Sequence, residues 1–151
     1  MSSAPFDHNL VIDRLKDQVP ELQDVGGAAD LAAVTKIRDF RTPSAYVILA
    51  VETPIPRQSG APGAATRQMV PVNFGVVVAV RNYRDNKGQA AVDDLRSVLG
   101  RVRDALIGWV PPGITGARDC QLVQGKVIDY DTDTLVWTDL YQTQHSIGRA
   151  S

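Results

Sequence analysis

Residues 69–80, MVPVNFGVVVAV, decide how this chain is read. Val70, Val72, Phe74, Val76, Val78 and Val80 fall on every second position. Period-two alternation of β-branched and aromatic residues predicts a strand with one buried face. The other face carries Pro71, Asn73, Gly75, Val77 and Ala79, small or polar but uncharged, so it too can be covered, for instance by another subunit. An Asn-, Asp- and Gly-rich turn follows (Asn82, Asp85, Asn86, Gly88), and then the period changes. Val92, Leu95, Val98, Leu99, Val102, Leu106 and Trp109 recur three or four apart, predicting one apolar side of a helix of about five or six turns. Asp93, Asp94, Arg96, Arg101, Arg103 and Asp104 take the other side, where ion pairs along the helix surface are the default. Gly108 and Pro111-Pro112 stop it, because Gly accepts the closing turn and Pro cannot continue it.

Outward from this unit, residues 45–51 (AYVILAV) are a continuous apolar run that predicts a second strand. Upstream, Leu10, Val11, Arg14, Leu15, Gln18 and Val19 have helical spacing, with Asp7 as N-cap and Pro20 as stop. Residues 22–25 predict a short edge strand closed by Gly26-Gly27, and Asp30 caps a brief helical piece to Val34. Residues 53–68 (TPIPRQSGAPGAATRQ) hold three Pro, two Gly and no acid, a long loop between two strands. Loops of this length are either solvated and mobile or functional. In the functional case Arg57 and Arg67 meet acidic groups on a neighbour or face DNA. Downstream, residues 120–130 and 135–143 predict a strand pair, with Gly125 marking a bulge or break and residues 131–133 a polar turn. Asp139 sits mid-strand beside Trp137, where an acid is disfavoured. One reading is an edge strand that uses charge against aggregation. Residues 146–151 read as mobile.

The fold expected is α+β: a mainly antiparallel sheet of four or five strands, the long helix packed on one face and the N-terminal helix beside it. A chain of 151 residues fits one domain over 1–151, with a flexible loop at 53–68 and loose termini.

Few residues offer chemistry. Asp129, Asp131 and Asp133 open like a calcium loop, but Thr134 stands where that loop needs Gly and Leu140 where it needs Glu. His8, His145 and Cys120 have no metal-ligand spacing, so no metal or cofactor is expected. A Cys-His dyad stays open from the residues alone, as does a small enzyme or ligand-binding domain. The Gly60–Gly63 run lacks the Lys-Ser or Lys-Thr of a phosphate loop. A net charge of -1 gives no bulk attraction to nucleic acid or membrane. One cysteine fits a reducing cytoplasm, and the N-terminus lacks the basic and apolar regions of a signal peptide.

The run from Val76 to Pro112 resembles the lambda-type tail terminator proteins of long-tailed bacteriophages. The likeness is carried by Asn82 ending the strand, Asp85 with Gly88 in the turn, and a closing Leu106, Gly108, Trp109 and Pro111. A second likeness is Trp137-Thr138-Asp139 in the C-terminal strand, and a looser one covers Ile12 to Leu15 and the Gly26-Gly27 connector. The resemblance implies a structural virion protein, not an enzyme. It implies a hexameric ring of identical subunits that caps the tail tube, stops its polymerisation and offers a surface for head joining. Its partners would be itself, the tube protein and a head–tail connector or neck protein, with DNA near the lumen and no membrane. It would be assembled in the host cytoplasm and act at the tail–neck junction. Arg57, Arg67, Arg96, Arg101, Arg103, Trp137 and Asp139 are the residues expected at assembly contacts. Another neck-ring protein is the alternative within the virion.

Overall fold

The computed structural model describes residues 2–57, 60, 65–81, 89–131 and 133–149, except the side chains of 38 and 89–93. The turn expected at Asn82, Asp85, Asn86 and Gly88, most of the 58–64 loop tip and the side chain of Val92 lie outside the described residues.

The protein is α+β, with a five-stranded, mostly antiparallel sheet and three α-helices among the described residues. The elements run α1 (Asn9–Gln18), β1 (Asp24–Gly26), α2 (Ala28–Ala32), a 3-10 turn (Ile37–Asp39), β2 (Ser44–Glu52), β3 (Thr66–Arg81), α3 (Gln89–Leu106), β4 (Gln121–Tyr130) and β5 (Thr134–Arg149). In space the strands lie in the order β1-β2-β3-β5-β4. β1 joins β2 in parallel, and every other pair is antiparallel.

The alternation in β3 does what its spacing predicts. Val70, Val72, Phe74, Val76, Val78 and Val80 share one core with Val11, Ile12 and Leu15 of α1 and Leu95, Val98, Leu99, Val102, Ala105 and Leu106 of α3. Each fully buried Val contributes about 1.5–2 kcal/mol of transfer free energy. Phe74 stacks between Phe6 and Tyr141, at ring-centroid distances of 6.0 and 5.4 Å. On the reverse face Val77 and Ala79 meet Tyr46 and Val136 beneath Leu31, Ile37 and Phe40. That half of the face is covered by the chain's own residues, not by a second subunit. Leu106 ends α3 and Gly108 follows at φ +82°, the left-handed conformation Gly tolerates. α1 is tied to the end of α3 by the Arg14 Nε donor to the Ala105 carbonyl at 2.9 Å and by Arg14 lying 5.5 Å from the Trp109 ring centre.

Four expectations change. Helix α1 begins at Asn9, one residue beyond a His8 N-cap, while Asp7 accepts the Asn9 N–H at 3.0 Å. Asp30 lies inside α2 and accepts the Gly27 N–H at 2.8 Å. The 53–68 loop is shorter than its composition suggests, because Thr66, Arg67 and Gln68 already pair with Arg149, Gly148 and Ile147. By the same pairing residues 146–149 are strand, not a loose end. These stretches have no apolar alternation to betray them. Their ladder is propagated from the buried centre of the same strands.

Candidate assembly interface

A buried charge marks the most unusual place in the fold. In β5, pairing with β3 sets Leu135, Trp137, Asp139, Tyr141, Thr143 and His145 on the helix side, opposite Val80, Val78, Val76, Phe74, Val72 and Val70. Asp139 is fully buried there, although β5 is a central strand flanked by β3 and β4 and not the edge strand its charge suggests. Its carboxylate accepts Arg103 Nε on Oδ2 and an Arg103 guanidinium NH2 group on Oδ1, both at 2.8 Å, in a two-pronged pair. Trp137 Nε1 donates to Oδ1 at 2.8 Å and the Tyr141 hydroxyl to Oδ2 at 3.3 Å. Burying a carboxylate is costly, and four donors offset that cost. The hydrogen bond to Asp139 raises the Arg103 pKa, and burial followed by the neighbouring carboxylate pushes the Tyr141 phenol up.

Gly125 of β4 lies opposite Asp139. A Cβ there would come within 2.5 Å of Asp139 Oδ1 and 2.9 Å of both Arg103 and Trp137. Strand β4 therefore closes directly over the ion pair, and only Gly admits it. Register shifts flank the glycine, between Leu122 and Gln124 and between Val127 and Asp129.

Among the described residues the outer side of β4 is an open edge of the sheet from Gln121 onward, Ile107 bridging only to Cys120 before it. Along it Val123, Ile128 and Tyr130 are 50, 47 and 72% exposed, and Val127 is exposed beside them. Edge strands usually mask such groups, because their unpaired N–H and C=O groups template pairing with another chain. Here the masking devices are modest: the two irregularities and Lys126. A second exposed apolar set, Leu49, Val51 and Ile55, lies along β2 and just beyond it, at the far side of the sheet.

The seven residues singled out from the sequence separate into groups. Arg103, Trp137 and Asp139 come together, and their contacts lie inside the chain. Arg103 thus leaves the exposed helix face expected of it, since its place beside Leu99, Val102 and Leu106 aims it along the flank of the sheet. Arg101 pairs with Glu21 at 2.7 Å, across elements and not along its own helix. Arg96 is exposed on α3. Arg57 and Arg67 are adjacent and exposed, with an Arg57 guanidinium NH1 group donating to the Arg67 carbonyl at 2.8 Å. Gly125 was read only as a bulge or break, and the buttressing role of Tyr141 and the exposed β4 edge residues were not singled out. The available signal was a strand apolar on both faces around one unexplained glycine.

The candidate nucleophile and bases do not assemble. Cys120 is buried, and that burial pushes its thiol up to about 11, the opposite of an activated thiolate. His145 faces Glu52 at 3.3 Å, and Glu52 also accepts the Phe6 N–H. Ser146, the next residue on the strand, points to the opposite face and donates to Met69 Sδ. His145 and Ser146 line a cleft of about 550 Å³ together with Phe6, His8, Leu49 and Ile114. Asp129, Asp131 and Asp133 sit at the β4–β5 turn, where Asp129 and Asp131 accept the Tyr130 and Asp133 N–H groups and Asp133 accepts the Thr134 hydroxyl. No cluster that could hold a metal occurs among the described residues, and no described helix is long and apolar enough to cross a membrane.

What this fold presents is an open strand edge buttressed by a buried ion pair. The whole chain, residues 1–151, matches the family described as phage tail terminator protein, and it belongs to that family. No curated protein sequence matches it. The family is one of structural virion proteins, not enzymes, which gives the chain a structural role in a phage tail and a place in the virion.

Proposed function

We propose that the protein forms a hexameric ring on the last ring of a tail tube, ends tube polymerisation, and presents its free face for head joining at the tail–neck junction. Family membership over the full chain carries this reading. The open, apolar β4 edge supports it, since a ring needs each subunit to offer a patch that meets a different patch on the next. Its partners would then be copies of itself, the tube protein and a connector or neck protein. Arg57 and Arg67, with no acid between residues 53 and 81, would face an acidic partner or DNA in the lumen. Arg96 and Arg101 would lie at axial or lateral contacts, and Trp137 and Asp139 would act from beneath by holding β4.

The test is deletion of the gene followed by electron microscopy of the particles. Overlong, headless tubes beside tailless heads are the expected result. Tubes of normal length that fail to join heads would move the protein to the connector side of the neck, and normal particles would refute the reading.

A further inference from the structure

We infer that the two open edges of the sheet form one joint, with β4 of one copy adding antiparallel to the β2 edge of the next. A ring of this protein would then be closed by a continuous intermolecular sheet. The inference rests on the ring reading above and names the surfaces that close it.

Among the described residues both edges lack a strand partner over most of their length. β1 covers β2 only at Ser44, Ala45 and Tyr46, so residues 47–52 have no strand on that side among the described residues. Beyond them Thr53 and Ile55 donate inward, to Pro71 and Met69 of β3. Among the described residues β4 pairs with β5 alone, the bridge from Ile107 reaching only Cys120 just ahead of it. Each edge also carries exposed apolar side chains: Leu49, Val51 and Ile55 on one, Val123, Val127, Ile128 and Tyr130 on the other. Two such edges on opposite sides of one subunit are what a heterologous contact requires.

Strand polarity selects the partner. Directions alternate from β2 through β3 and β5 to β4, so β2 and β4 run in opposite senses. Rotation about an axis roughly along the strands preserves those senses, and the neighbour's β2 therefore meets β4 antiparallel. Pairing β4 with another β4 is also antiparallel, but it stops at two copies and leaves the β2 edge bare. β1 constrains the fit further. β4 lies level with β2 through the ladder Gln121–Gln142–Asn73–Val51, so it must slide by about three residues, roughly 10 Å, to clear β1. Strands tilted in a closed cylinder supply such a stagger.

The experiment swaps charge across the joint. Phage lacking the gene are complemented with Val123→Lys/Ile128→Lys, with Val51→Glu/Ile55→Glu, or with all four substitutions together. All positions are exposed, and circular dichroism of the isolated subunits checks folding. Each edge variant alone should reduce tails of normal length by on the order of tenfold, since like or unmatched charges replace the apolar contact. The fourfold variant should restore them to within about twofold, because every joint then brings Lys against Glu. If only the β4 variant fails, β4 pairs with β4 and the inference is overturned. If both edge variants complement fully while the deletion gives overlong tubes, the ring stands and this joint is wrong. A deletion without a tail phenotype removes the ring reading instead.

Discussion

Replacing Arg103 by Met should cost the isolated subunit about 3 kcal/mol. Removing one partner of a buried ion pair typically costs about 3–5 kcal/mol, because the other charge is left uncompensated. Asp139 keeps the Trp137 and Tyr141 donors, and the Arg103 side chain is 31% exposed in the native fold, so the lower end applies. Unfolding entropy of about 2.1 cal/mol/K per residue gives about 0.3 kcal/mol/K for 151 residues, and the melting temperature should fall by about 10 °C. The double variant Arg103→Met/Asp139→Asn removes the stranded charge while its amide oxygen still accepts from Trp137. It should recover about half the loss, a coupling of at least about 1.5 kcal/mol that grows by whatever Asp139→Asn costs alone. Thermal unfolding followed by circular dichroism on wild type, both single variants and the double variant measures this directly. A drop below about 2 °C for Arg103→Met, or a double variant whose losses simply add, would refute the claim that the pair is buried and coupled.

Gly125→Ala should destabilise by about 2 kcal/mol, read as a lower melting temperature, because its Cβ would press on Asp139, Arg103 and Trp137 together. Between about pH 10 and 12 stability should fall as the Tyr46 phenol ionises. Burial, then the hydrogen bond to Asp24, raises it to about 12, so its contribution is whole below the ordinary tyrosine value and lost on the way up. Tyr46→Phe should flatten the melting-temperature profile in that window. Arg57→Glu with Arg67→Glu should leave the melting temperature unchanged and reduce the fraction of tails joined to heads in complementation. Unchanged joining would remove those arginines from the assembly reading.

Much of the fold was legible because it is written locally. The alternation in β3 and the three-four spacing in α3 follow from the geometry of a strand and a helix, and the buried sets match them. What was not legible is long-range. Asp139 and Arg103 are 36 positions apart, and nothing near either residue says that one meets the other. The same holds for edge and centre. Residues 120–130 and 135–143 both read as strands, but only the order β3-β5-β4 puts the aspartate in the middle and the exposed valines outside. The polar ends of β3 and β5 were missed for a related reason: their ladder continues past the core that gives strands their alternation.

The glycine and the aspartate explain each other. A well-packed apolar cluster would hold α3 against the sheet at least as firmly as an ion pair does, so added stability is a weak reason for a charge here. Register is a stronger one. Pairing β4 one residue away from its observed position would bring Gln124 or Lys126 over Asp139 and Trp137, where even a Cβ collides. It would also turn each side chain of the strand to the other face. An edge strand supported on one side only is free to slip, and β4 combines that freedom with two irregularities in its ladder. The buried carboxylate, with its four donors and the single residue type that fits above it, removes that freedom. It fixes which of Val123, Val127, Ile128 and Tyr130 face outward, and that pattern is what any second chain must match.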